Sequence, residues 1–589
     1  DYYASRGLGD VYKRQDAHKA KIPDIVNNST LIEVPFFQRA YVWKEDLWER
    51  FLDDMAFVVQ YNRPHFLGTL ILKDASVPQQ NTSYATRLVL VDGQQRLTTF
   101  LIFLKVLCLK MNQPGIFDTN FRLITTRELS LQHGKNDSEA FKCVMDQTNA
   151  VPIIDNRSSS PIVQAFNYFA SHLQMSTLND YMTVISNVQF VRIDLGPTDD
   201  EQQIFDSLNS LGVRLTTSEL LKNYFFSRNN ITAYQNIWES VFEANESAKT
   251  YWDTEIEAGR VKRPLIDIFF DAYFQQFIQK KKYNISVDDK LIYARTDQLA
   301  NSYQSFVNTY CGGNKNTILD TLKDYATLFQ QTFKSDFCST TIPSDFGIER
   351  LNIVIFGLKT TTLIPYVLYL AKNISNLAIL NEMYGILESY VMRRIVTRAS
   401  TTNYTKLFLS FIANEILTPQ DLRDRLQVLG GTNSSIPDDT ELRDGFEHSK
   451  LMNLYSKGVL YLIESHIRPA QSAVVLHGFN NYSLEHLMPK KWRNNWPTCS
   501  TPLDAEKRDS ILLTLGNLAI IPQSLNASIR DSDWSTKKAG KGQEKPGLTL
   551  CASGLSTLQD ALTKTDWNEI EIQARALWLY KQAQSLWKL

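Results

Sequence analysis

The chain has 589 residues, a mass of 67.6 kDa, and 62 Lys and Arg against 63 Asp and Glu, for a net charge of −1. This composition excludes a largely disordered chain, and the length suggests about three domains. The neutral balance excludes a histone-like polycation, although a nucleic-acid enzyme needs only one basic face. The six cysteines never form a C-x-x-C pair, so neither a cysteine zinc site nor a disulfide scaffold is expected, and a reducing cytoplasmic location fits best.

No secretory signal or membrane span is predicted. The first residues, Asp1–Gln15, lack an initiator Met and an apolar core segment. They resemble a translated sequencing-adapter remnant, so we expect a non-native leader. The most apolar stretch, Leu351–Ala371, contains Lys359 followed by three threonines and is predicted to be a buried helix.

The region from residue 16 to 230 is predicted to alternate strands and helices. Apolar residues in short continuous or alternating runs indicate strands, and apolar residues spaced three and four apart indicate helices. A Thr216-x-x-Glu219 capping box is expected to open a helix that runs through Phe226. In chain order, the other predicted elements are an extended segment at Ile32–Arg39, a helix at Glu45–Tyr61, strands at Phe66–Leu72 and Leu88–Val91, a helix at Leu97–Leu109, a strand at Val188–Ile193, and a helix at Glu201–Ser210 ended by Gly212.

The rest of the chain is predicted to form two further domains. Residues 231–437 are mostly helical in pattern and rich in aromatic side chains, and Gly, Asn, Ser and Pro cluster around Gly430–Asp439, as in a linker. Residues 438–589 are predicted to mix helices, a β-hairpin near His486 and Asn517, and a C-terminal helix at Trp567–Trp587. The predicted domains are therefore 16–230, 231–437 and 438–589.

The segment Asp92–Arg96, with the sequence D-G-Q-Q-R, joins a predicted strand to a predicted helix. Gly93 would permit a positive φ or a close backbone approach. The free N–H groups of the first helical turn form an anion site, and Arg96 adds a fork of donors for phosphate. Asp92 could hold a metal or orient a polar group. The residues alone leave a plain structural turn as the alternative, because Asp-Gly is a common turn and Gln-Gln-Arg a common helix start.

A second arginine lies upstream of this turn, within an aromatic run. Gln38 and Arg39 stand between Phe37 and Tyr41. Together with the D-G-Q-Q-R segment they complete the candidate nucleotide-binding residues. These are Gln38, Arg39, Asp92, Gly93, Gln94, Gln95 and Arg96.

A second candidate site lies near the C-terminus, around the sequence S-L-E-H-L-M-P. A one-metal phosphodiesterase needs a base that accepts a proton from water and oxygen ligands that hold a hard divalent cation. His486 could be that base, and Glu485 and Asn526 could be metal ligands. Asn517 could brace the loop through hydrogen bonds to the main chain.

Lysines near this segment could bind the phosphates of a nucleic acid. Lys537 and Lys538 are the candidates, and His486–Lys545 contains ten Lys and Arg against six Asp and Glu, a local excess of +4. On residue chemistry alone a purely structural role for His486 stays open, because Glu-His is a common pair and an isolated histidine is usually a surface or core residue.

Two series of motifs resemble one known family. VPFFQRAYVW, HFLGTLIL, LVDGQQRLTT and FDSLNSLGVRLTTSELLKNYFF, over Ile22–Phe226, resemble the N-terminal domain of GmrSD-type modification-dependent restriction enzymes. EHLMP…W…LGNLAII…LN resembles the HNH (ββα-metal) nuclease domain of the same enzymes, with Asn526 in its third position instead of His. Asn209, Lys222 and Asn223 match a later family motif. Helix capping or core hydrogen bonding explains these residues at least as well as a functional role.

This resemblance implies a multidomain α+β protein with three parts. They are a ParB/sulfiredoxin-like α/β domain that binds and hydrolyses GTP or ATP at D-G-Q-Q-R, a helical middle domain, and an HNH domain that uses Mg²⁺ or Mn²⁺. The implied function is cleavage of modified phage DNA by a type IV restriction enzyme, with double-stranded DNA as partner, no membrane, and possible oligomers. Two alternatives remain: a nucleotide-dependent DNA-binding regulator with an inactive HNH domain, and a nuclease toxin.

One further segment, Glu388 with Arg393 and Arg394, also resembles the family's middle region. We expect these residues to form a buried ion network, with contact to DNA as the alternative.

Overall fold

The structure is a computed structural model that describes residues 16–35, 38–75, 86–196, 216–226, 230–259, 261–429, 433–469, 475–523, 525, 531–542 and 545–588. The predicted leader, the Glu201–Ser210 helix with Gly212, Asn209 and Asn526 lie outside these residues. The chain divides into two compact units, Asp1–Gln235 and Asn236–Leu589. The boundary predicted at residue 437 lies within the second unit.

The first unit contains a six-stranded mixed sheet. Its strands are β1 (Asp16–Lys21), β2 (Thr30–Glu33), β3 (His65–Asp74), β4 (Thr86–Asp92), β5 (Leu131–Gln132) and β6 (Val188–Leu195), in the spatial order β1-β6-β3-β4-β2-β5. Strand β2 is parallel to β4 and β5, whereas β3 is antiparallel to β4. The carboxyl ends of β2, β4 and β5 therefore meet at one edge. The predicted strands at Phe66–Leu72, Leu88–Val91 and Val188–Ile193 are confirmed as β3, β4 and β6.

One helix, Gln94–Lys110, forms the centre of this unit. Every residue from Leu97 to Leu109 is buried, as expected for a helix that is apolar on all sides. Phe103 packs against Phe51 and Phe169, at ring-centroid distances of 5.5 and 6.0 Å. The α-helices among the described residues of this unit are Ile22–Ile25, Glu45–Tyr61, Gln94–Lys110, Pro114–Phe121, Lys135–Met145, Pro161–His172, Leu178–Asn187, Thr217–Phe225 and Ile231–Ala233.

The helix boundaries of the first unit follow local sequence signals. The Glu45–Tyr61 helix has the predicted bounds, and it ends where Asn62 adopts a left-handed conformation, with a φ of 49°. The predicted capping box is confirmed, because Thr216 Oγ1 accepts from Glu219 N at 3.3 Å and Glu219 Oε2 accepts from Thr216 N at 2.8 Å.

In the part of the second unit that the structure describes, the chain is mostly helical and contains two separate strand pairs. These pairs are β7 (Glu255–Ala258) with β8 (Val261–Pro264), and β9 (Tyr482–His486) with β10 (Leu518–Pro522), both antiparallel. Its described α-helices are Ser240–Phe242, Glu246–Asp253, Leu265–Ile278, Val287–Tyr293, Leu299–Tyr310, Asn316–Thr332, Ile348–Asn352, Ile364–Asn373, Leu377–Val396, Tyr404–Ala413, Pro419–Gln427, Asp439–His448, Asn453–Ile467, Pro502–Ile511, Trp534–Ala539, Leu548–Cys551, Ser556–Thr563 and Glu569–Leu586.

The prediction of one continuous helix at Leu351–Ala371 is wrong. An α-helix ends at Asn352, a π-helical run covers Ile353–Gly357, and the next α-helix begins at Ile364. Lys359 interrupts the stretch with a φ of 60°, a left-handed conformation that a helix cannot contain. Among the described residues, no helix is long and apolar enough to cross a membrane.

A buried network of charged side chains lies inside the second unit. Arg350 Nη2 donates to Glu388 Oε1 at 2.7 Å, and Trp587 Nε1 donates to the same oxygen at 3.0 Å. Arg393 Nε donates to the Trp587 carbonyl oxygen at 2.7 Å, and Arg394 is buried as well. The prediction of burial is confirmed, but the partner of Glu388 is Arg350 and not the two adjacent arginines.

Candidate active sites

The D-G-Q-Q-R segment is a strand-to-helix turn at the carboxyl end of β4. Asp92 ends β4, and the Gln94–Lys110 helix begins directly after Gly93. Gly93 has a φ of 97°, and a Cβ atom there would lie 2.2 Å from Leu70 Cδ2 and 2.9 Å from the Thr69 carbonyl oxygen. Both the conformation and the lack of space therefore require glycine at this position.

The first turn of this helix presents free backbone donors. The first backbone hydrogen bond at its start runs from Leu97 N to the Gly93 carbonyl oxygen, at 3.0 Å. The N–H groups of Gln94, Gln95 and Arg96 have no acceptor among the described residues. Such donors, together with the positive end of the helix dipole, favour an anion.

Arg96 is partly committed to the turn itself. Its Nη2 atom donates to the Thr69 carbonyl oxygen and to Asp92 Oδ2, both at 3.1 Å. Its buried Nε atom has no hydrogen-bond partner within the described part of the chain. Arg96 thus joins β3 to the end of β4, which is a structural role that the sequence did not indicate.

Two of the predicted nucleotide-binding glutamines contact the protein backbone. Gln38 Nε2 donates to the carbonyl oxygens of Leu90 at 2.7 Å and Val91 at 3.1 Å. The Gln95 amide accepts from Val42 N at 2.9 Å and donates to the Ala40 carbonyl oxygen at 3.2 Å. These bonds hold residues 38–42 against β4 and the central helix.

Arg39 lies between these two fixed points. It is half-buried, and no hydrogen bond or ion pair of its side chain occurs among the described residues. Of the two predicted arginines, Arg39 therefore has the guanidinium that is not already used within the protein.

A buried polar cluster beneath this segment was not found from the sequence. Asp137 Oδ2 accepts from Tyr41 N at 2.7 Å, and the Tyr41 hydroxyl lies 2.6 Å from Thr99 Oγ1 on the central helix. His133 is fully buried in the same cluster, with Nε2 3.1 Å from Thr98 Oγ1 and Nδ1 3.9 Å from Asp137 Oδ2. The only local signal was the four-residue spacing of His133 and Asp137.

Burial keeps both ionisable groups of this cluster neutral over a range of pH. It lowers the pKa of His133 from 6.5 to about 3. It raises the pKa of Asp137 from 3.8 to about 6, although the hydrogen bond from Tyr41 N opposes this change. Between these two values, both side chains are uncharged in the folded protein.

The second candidate site is built on β9 and β10. Leu518 pairs with His486, and Ala519 pairs with Glu485. Glu485 is buried, whereas His486, the last residue of β9, is half-buried. The two strands pair as predicted, but the connection contains the Pro502–Ile511 helix and is not a tight hairpin turn.

Asn517 makes hydrogen bonds to the main chain on both sides of its turn. Its Oδ1 atom accepts from Met488 N at 2.8 Å and from Trp567 Nε1 at 3.1 Å. Its Nδ2 atom donates to the carbonyl oxygens of Met488 at 2.8 Å and Leu512 at 2.9 Å. The side chain is fully buried and ties the end of β9 to the start of β10.

The C-terminal helix holds the same turn from the other side. Arg575 Nη1 donates to the carbonyl oxygens of Leu515 at 3.2 Å, and of Gly516 and Leu518 at 2.8 Å. A Cβ atom on Gly516 would lie 2.2 Å from the Ile572 carbonyl oxygen, so glycine allows the helix to approach this closely.

Lys537 does not have the position expected of a DNA-binding lysine. Its side chain is completely buried, and its ammonium contacts Glu485 Oε1 and the His486 carbonyl oxygen, the latter at 2.6 Å. A side chain with no exposed surface cannot contact a DNA phosphate in this arrangement. Lys538 is half-buried and donates to the Lys564 carbonyl oxygen at 2.6 Å.

His486 is half-buried, and its imidazole has no hydrogen-bond partner among the described residues. Burial, and then the positive charges of Lys490 and Lys537, lower the pKa of His486 to about 4. Its imidazole is therefore neutral near pH 7, as a proton acceptor must be. Lys490 is exposed and acts on His486, so it is a cation near the site that sequence reasoning missed.

The donor atoms around Glu485 suit a hard divalent cation only in part. Burial raises the pKa of Glu485 and lowers the pKa of Lys537. The negative charge of Asp531 acts on both groups and raises both pKa values, so a second carboxylate lies in this region. Carboxylate oxygens are preferred ligands of Mg²⁺. However, the described residues contain no group of three or more His, Cys, Asp or Glu side chains that could hold a metal. Asn526 lies outside them, and an ammonium already contacts Glu485.

Comparison with known proteins gives two family matches. The model of the GmrSD restriction endonuclease N-terminal domain matches residues 22–226, and the model of the C-terminal domain of these enzymes matches residues 436–582. No individual curated protein matches the chain. Between them the two matched regions contain the D-G-Q-Q-R turn and the strand pair that carries His486.

Proposed function

Because the chain belongs to the GmrSD restriction endonuclease family, we propose that it is an NTP-dependent enzyme that cleaves modified double-stranded DNA at an HNH-type centre. In this proposal, the first unit has a ParB-like fold and binds the nucleotide. β9, β10 and the Trp534–Ala539 helix form the ββα-metal element. The observation that carries the proposal is His486, a neutral imidazole at the end of β9 beside an exposed lysine.

The residues around β9 have distinct proposed roles in cleavage. His486 takes the proton from the water that attacks the phosphorus atom. Lys490 contacts a neighbouring phosphate, and Asn517 keeps the strand ends in register. Glu485, Asp531 and Asn526 would hold Mg²⁺ or Mn²⁺. When bound, the metal supplies stabilisation of the charge that develops on the leaving oxygen.

The proposed nucleotide site uses the edge of the sheet in the first unit. The free N–H groups of Gln94, Gln95 and Arg96 bind a phosphate, and Arg39 supplies the unused guanidinium. Gln38 and Gln95 act through the backbone, because their amides hold residues 38–42 in place. We expect Arg39→Gln to raise KM for GTP or ATP with little loss of stability, whereas Arg96→Ala lowers both turnover and stability.

Cleavage of supercoiled plasmid in Mn²⁺ tests the nuclease proposal. Wild type is expected to nick the plasmid, and His486→Ala to be slower by at least about 100-fold, the usual contribution of a general base. His448→Ala is the control, because His448 is exposed and pairs with Asp444 on its own helix. Equal nicking rates for wild type and His486→Ala would refute the catalytic role, and no nicking by either protein would favour a DNA-binding regulator.

The substrate and the nucleotide are tested in the same assay. Unmodified, hydroxymethylated, glucosylated and phosphorothioated plasmids are compared with no nucleotide, GTP and ATP. We expect cleavage of at least one modified DNA only when a nucleotide is present. Equal cleavage of unmodified DNA without nucleotide would instead support a nuclease toxin.

A further inference from the structure

We propose that Lys541 and Lys545, on a turn that follows the Trp534–Ala539 helix, contact backbone phosphates of double-stranded DNA beside the nuclease centre. This inference deepens the proposed function and rests on it, because it identifies the surface that holds the substrate near His486. It moves the predicted phosphate contacts from Lys537 and Lys538 to the two lysines that follow them.

The first argument is which cations near His486 are already used within the protein. Several Lys and Arg side chains of the segment His486–Lys545 have a partner. They are Arg493 with Asp509, Arg508 with Glu569, Lys537 with Glu485, and Lys538 with the Lys564 carbonyl oxygen. Lys541 and Lys545 are exposed, and no hydrogen bond or ion pair of their side chains occurs within the described part of the chain. These two ammonium groups are therefore available to a partner.

The charge of this segment suits a polyanion. Lys538–Lys545 contains three Lys against one Glu, a net charge of +2 in a chain whose total charge is −1. The acid, Glu544, lies outside the described residues. Cations that neutralise phosphates supply most of the sequence-independent affinity for DNA.

The second argument is that the backbone holds these two lysines side by side. They lie on the turn at residues 540–546, of which the structure describes 540–542 and 545–546. Lys541 N donates to the Lys545 carbonyl oxygen at 2.8 Å, and Gly540 pairs with Pro546 in an antiparallel bridge. A Cβ atom on Gly540 would lie 2.4 Å from the same carbonyl oxygen, so glycine allows this close approach. Because the backbone of both lysines is fixed before DNA binds, the entropic cost of binding is lower.

The third argument is the connection between this turn and His486. Lys537 precedes Gly540 by three residues, and its buried ammonium donates to the His486 carbonyl oxygen at 2.6 Å. A helix rises about 1.5 Å per residue, so the turn begins within about 5 Å of Lys537 along the helix axis. A DNA strand carries a phosphate about every 3.4 Å along the duplex. Cations on this turn can therefore reach phosphates within a few nucleotides of the bond to be cut.

Two further exposed lysines extend this surface. Lys490 and Lys491 follow β9. The segment that they begin is fixed where Trp496 Nε1 donates to the Ser532 carbonyl oxygen at 3.0 Å. Ser532 lies two residues before the Trp534–Ala539 helix, so both pairs of lysines belong to segments that pack together.

The salt dependence of DNA binding separates a phosphate contact from a lysine that is only solvated. Each phosphate that a protein neutralises releases condensed counterions, and it adds about 0.9 to the slope of log K against log salt concentration. A lysine that contacts no phosphate adds nothing to this slope. A lysine with a purely structural role would change the free energy of unfolding instead.

The measurement is binding of a short fluorescent DNA duplex to the full chain, by anisotropy with EDTA, from about 50 to 200 mM salt. Lys541→Gln and Lys545→Gln are each expected to lower the slope by about 0.9, and the double variant by about 1.8. The double variant should also bind at least about tenfold more weakly at 0.1 M salt. Replacement of both lysines by Arg keeps the charge and should keep the slope. Lys406→Gln is the matched control, because Lys406 is an exposed lysine outside both family matches, and it should bind as wild type does.

Plasmid cleavage and circular dichroism melts complete the test. The double Gln variant should melt as wild type does, because both lysines are exposed. It should need more plasmid for half of its maximal nicking rate and keep that maximal rate, because His486 is unchanged. A wild-type slope in the double variant would overturn the inference, and the nuclease proposal would stand if that variant still cuts. An equal loss of slope in Lys406→Gln would also overturn it, because total charge and not position would then decide binding. If wild type neither binds nor cuts DNA, both proposals fail.

Discussion

The neutral pair of His133 and Asp137 predicts an unusual pH dependence of stability in the first unit. The folded pKa of Asp137 is raised, so its stabilising contribution is complete below pH 3.8 and is lost as the pH rises through about 6. The folded pKa of His133 is lowered, so its contribution is complete above pH 6.5 and is lost as the pH falls toward about 3.

These two effects oppose each other between about pH 4 and 6. Each has a slope of about 1.4 kcal/mol per pH unit, and the slopes have opposite signs. The folded chain contains a neutral pair, whereas the unfolded chain contains a charged histidine and a charged carboxylate. The net contribution of the cluster in wild type is therefore nearly constant over this range.

Removal of one partner should reveal the effect of that partner. Relative to wild type at the same pH, the unfolding free energy of Asp137→Asn should rise by about 2 kcal/mol from pH 4.5 to 7.5. Asn retains an oxygen that can accept from Tyr41 N. For His133→Gln, the unfolding free energy relative to wild type should instead fall by about 3 kcal/mol between pH 4.5 and 7.5.

The assay is urea unfolding followed by thiol labelling of Cys108. This free thiol is fully buried in the central helix, so its labelling reports unfolding of the first unit and not of the second. A free-energy difference for Asp137→Asn that does not change with pH would refute the reasoning. The same sign of change in both variants would refute it as well.

Two other substitutions test the sites directly. Gly93→Ala should destabilise the first unit by roughly 2–4 kcal/mol, because alanine would adopt a positive φ and overlap Leu70; Gly115→Ala, where a Cβ has open space, should be neutral or slightly stabilising in the same urea titration. Asn517→Ala leaves buried hydrogen-bond partners unsatisfied and should lower the free energy of unfolding by about 3–5 kcal/mol. It should also lower the nicking rate. An unchanged circular dichroism melt and an unchanged rate in the plasmid assay would contradict the bracing role.

The parts of the fold that sequence predicted well depend on local signals. The Glu45–Tyr61 helix has a clear apolar periodicity and an asparagine that can adopt the left-handed conformation at its end. The D-G-Q-Q-R turn was placed correctly because a strand, a glycine and an apolar helix follow one another directly. Such signals lie within a few residues of the feature that they determine.

The errors concern features that depend on distant contacts. The apolar character of Leu351–Ala371 showed that the stretch is buried, but not that it is interrupted at Lys359. Lys537 belongs to a basic segment, and its burial depends on Glu485, which lies 52 positions away. Asp137 contacts Tyr41 across 96 positions, and neither residue carries a local sign of that contact.

The hydrogen bonds of the C-terminal helix have a consequence for the order of synthesis and folding. Arg575 holds the Leu515–Leu518 turn, and Trp587 contacts Glu388 and Arg393 across 199 and 194 positions. On the ribosome, the turn that positions β10 beside His486 therefore lacks these contacts until the last part of the described chain has emerged. A nascent chain can complete the sheet of the first unit earlier, because all six strands precede residue 196. The strand pair that carries His486 would then gain these contacts after the first unit has completed its sheet, so a chain that stops before Arg575 would lack them.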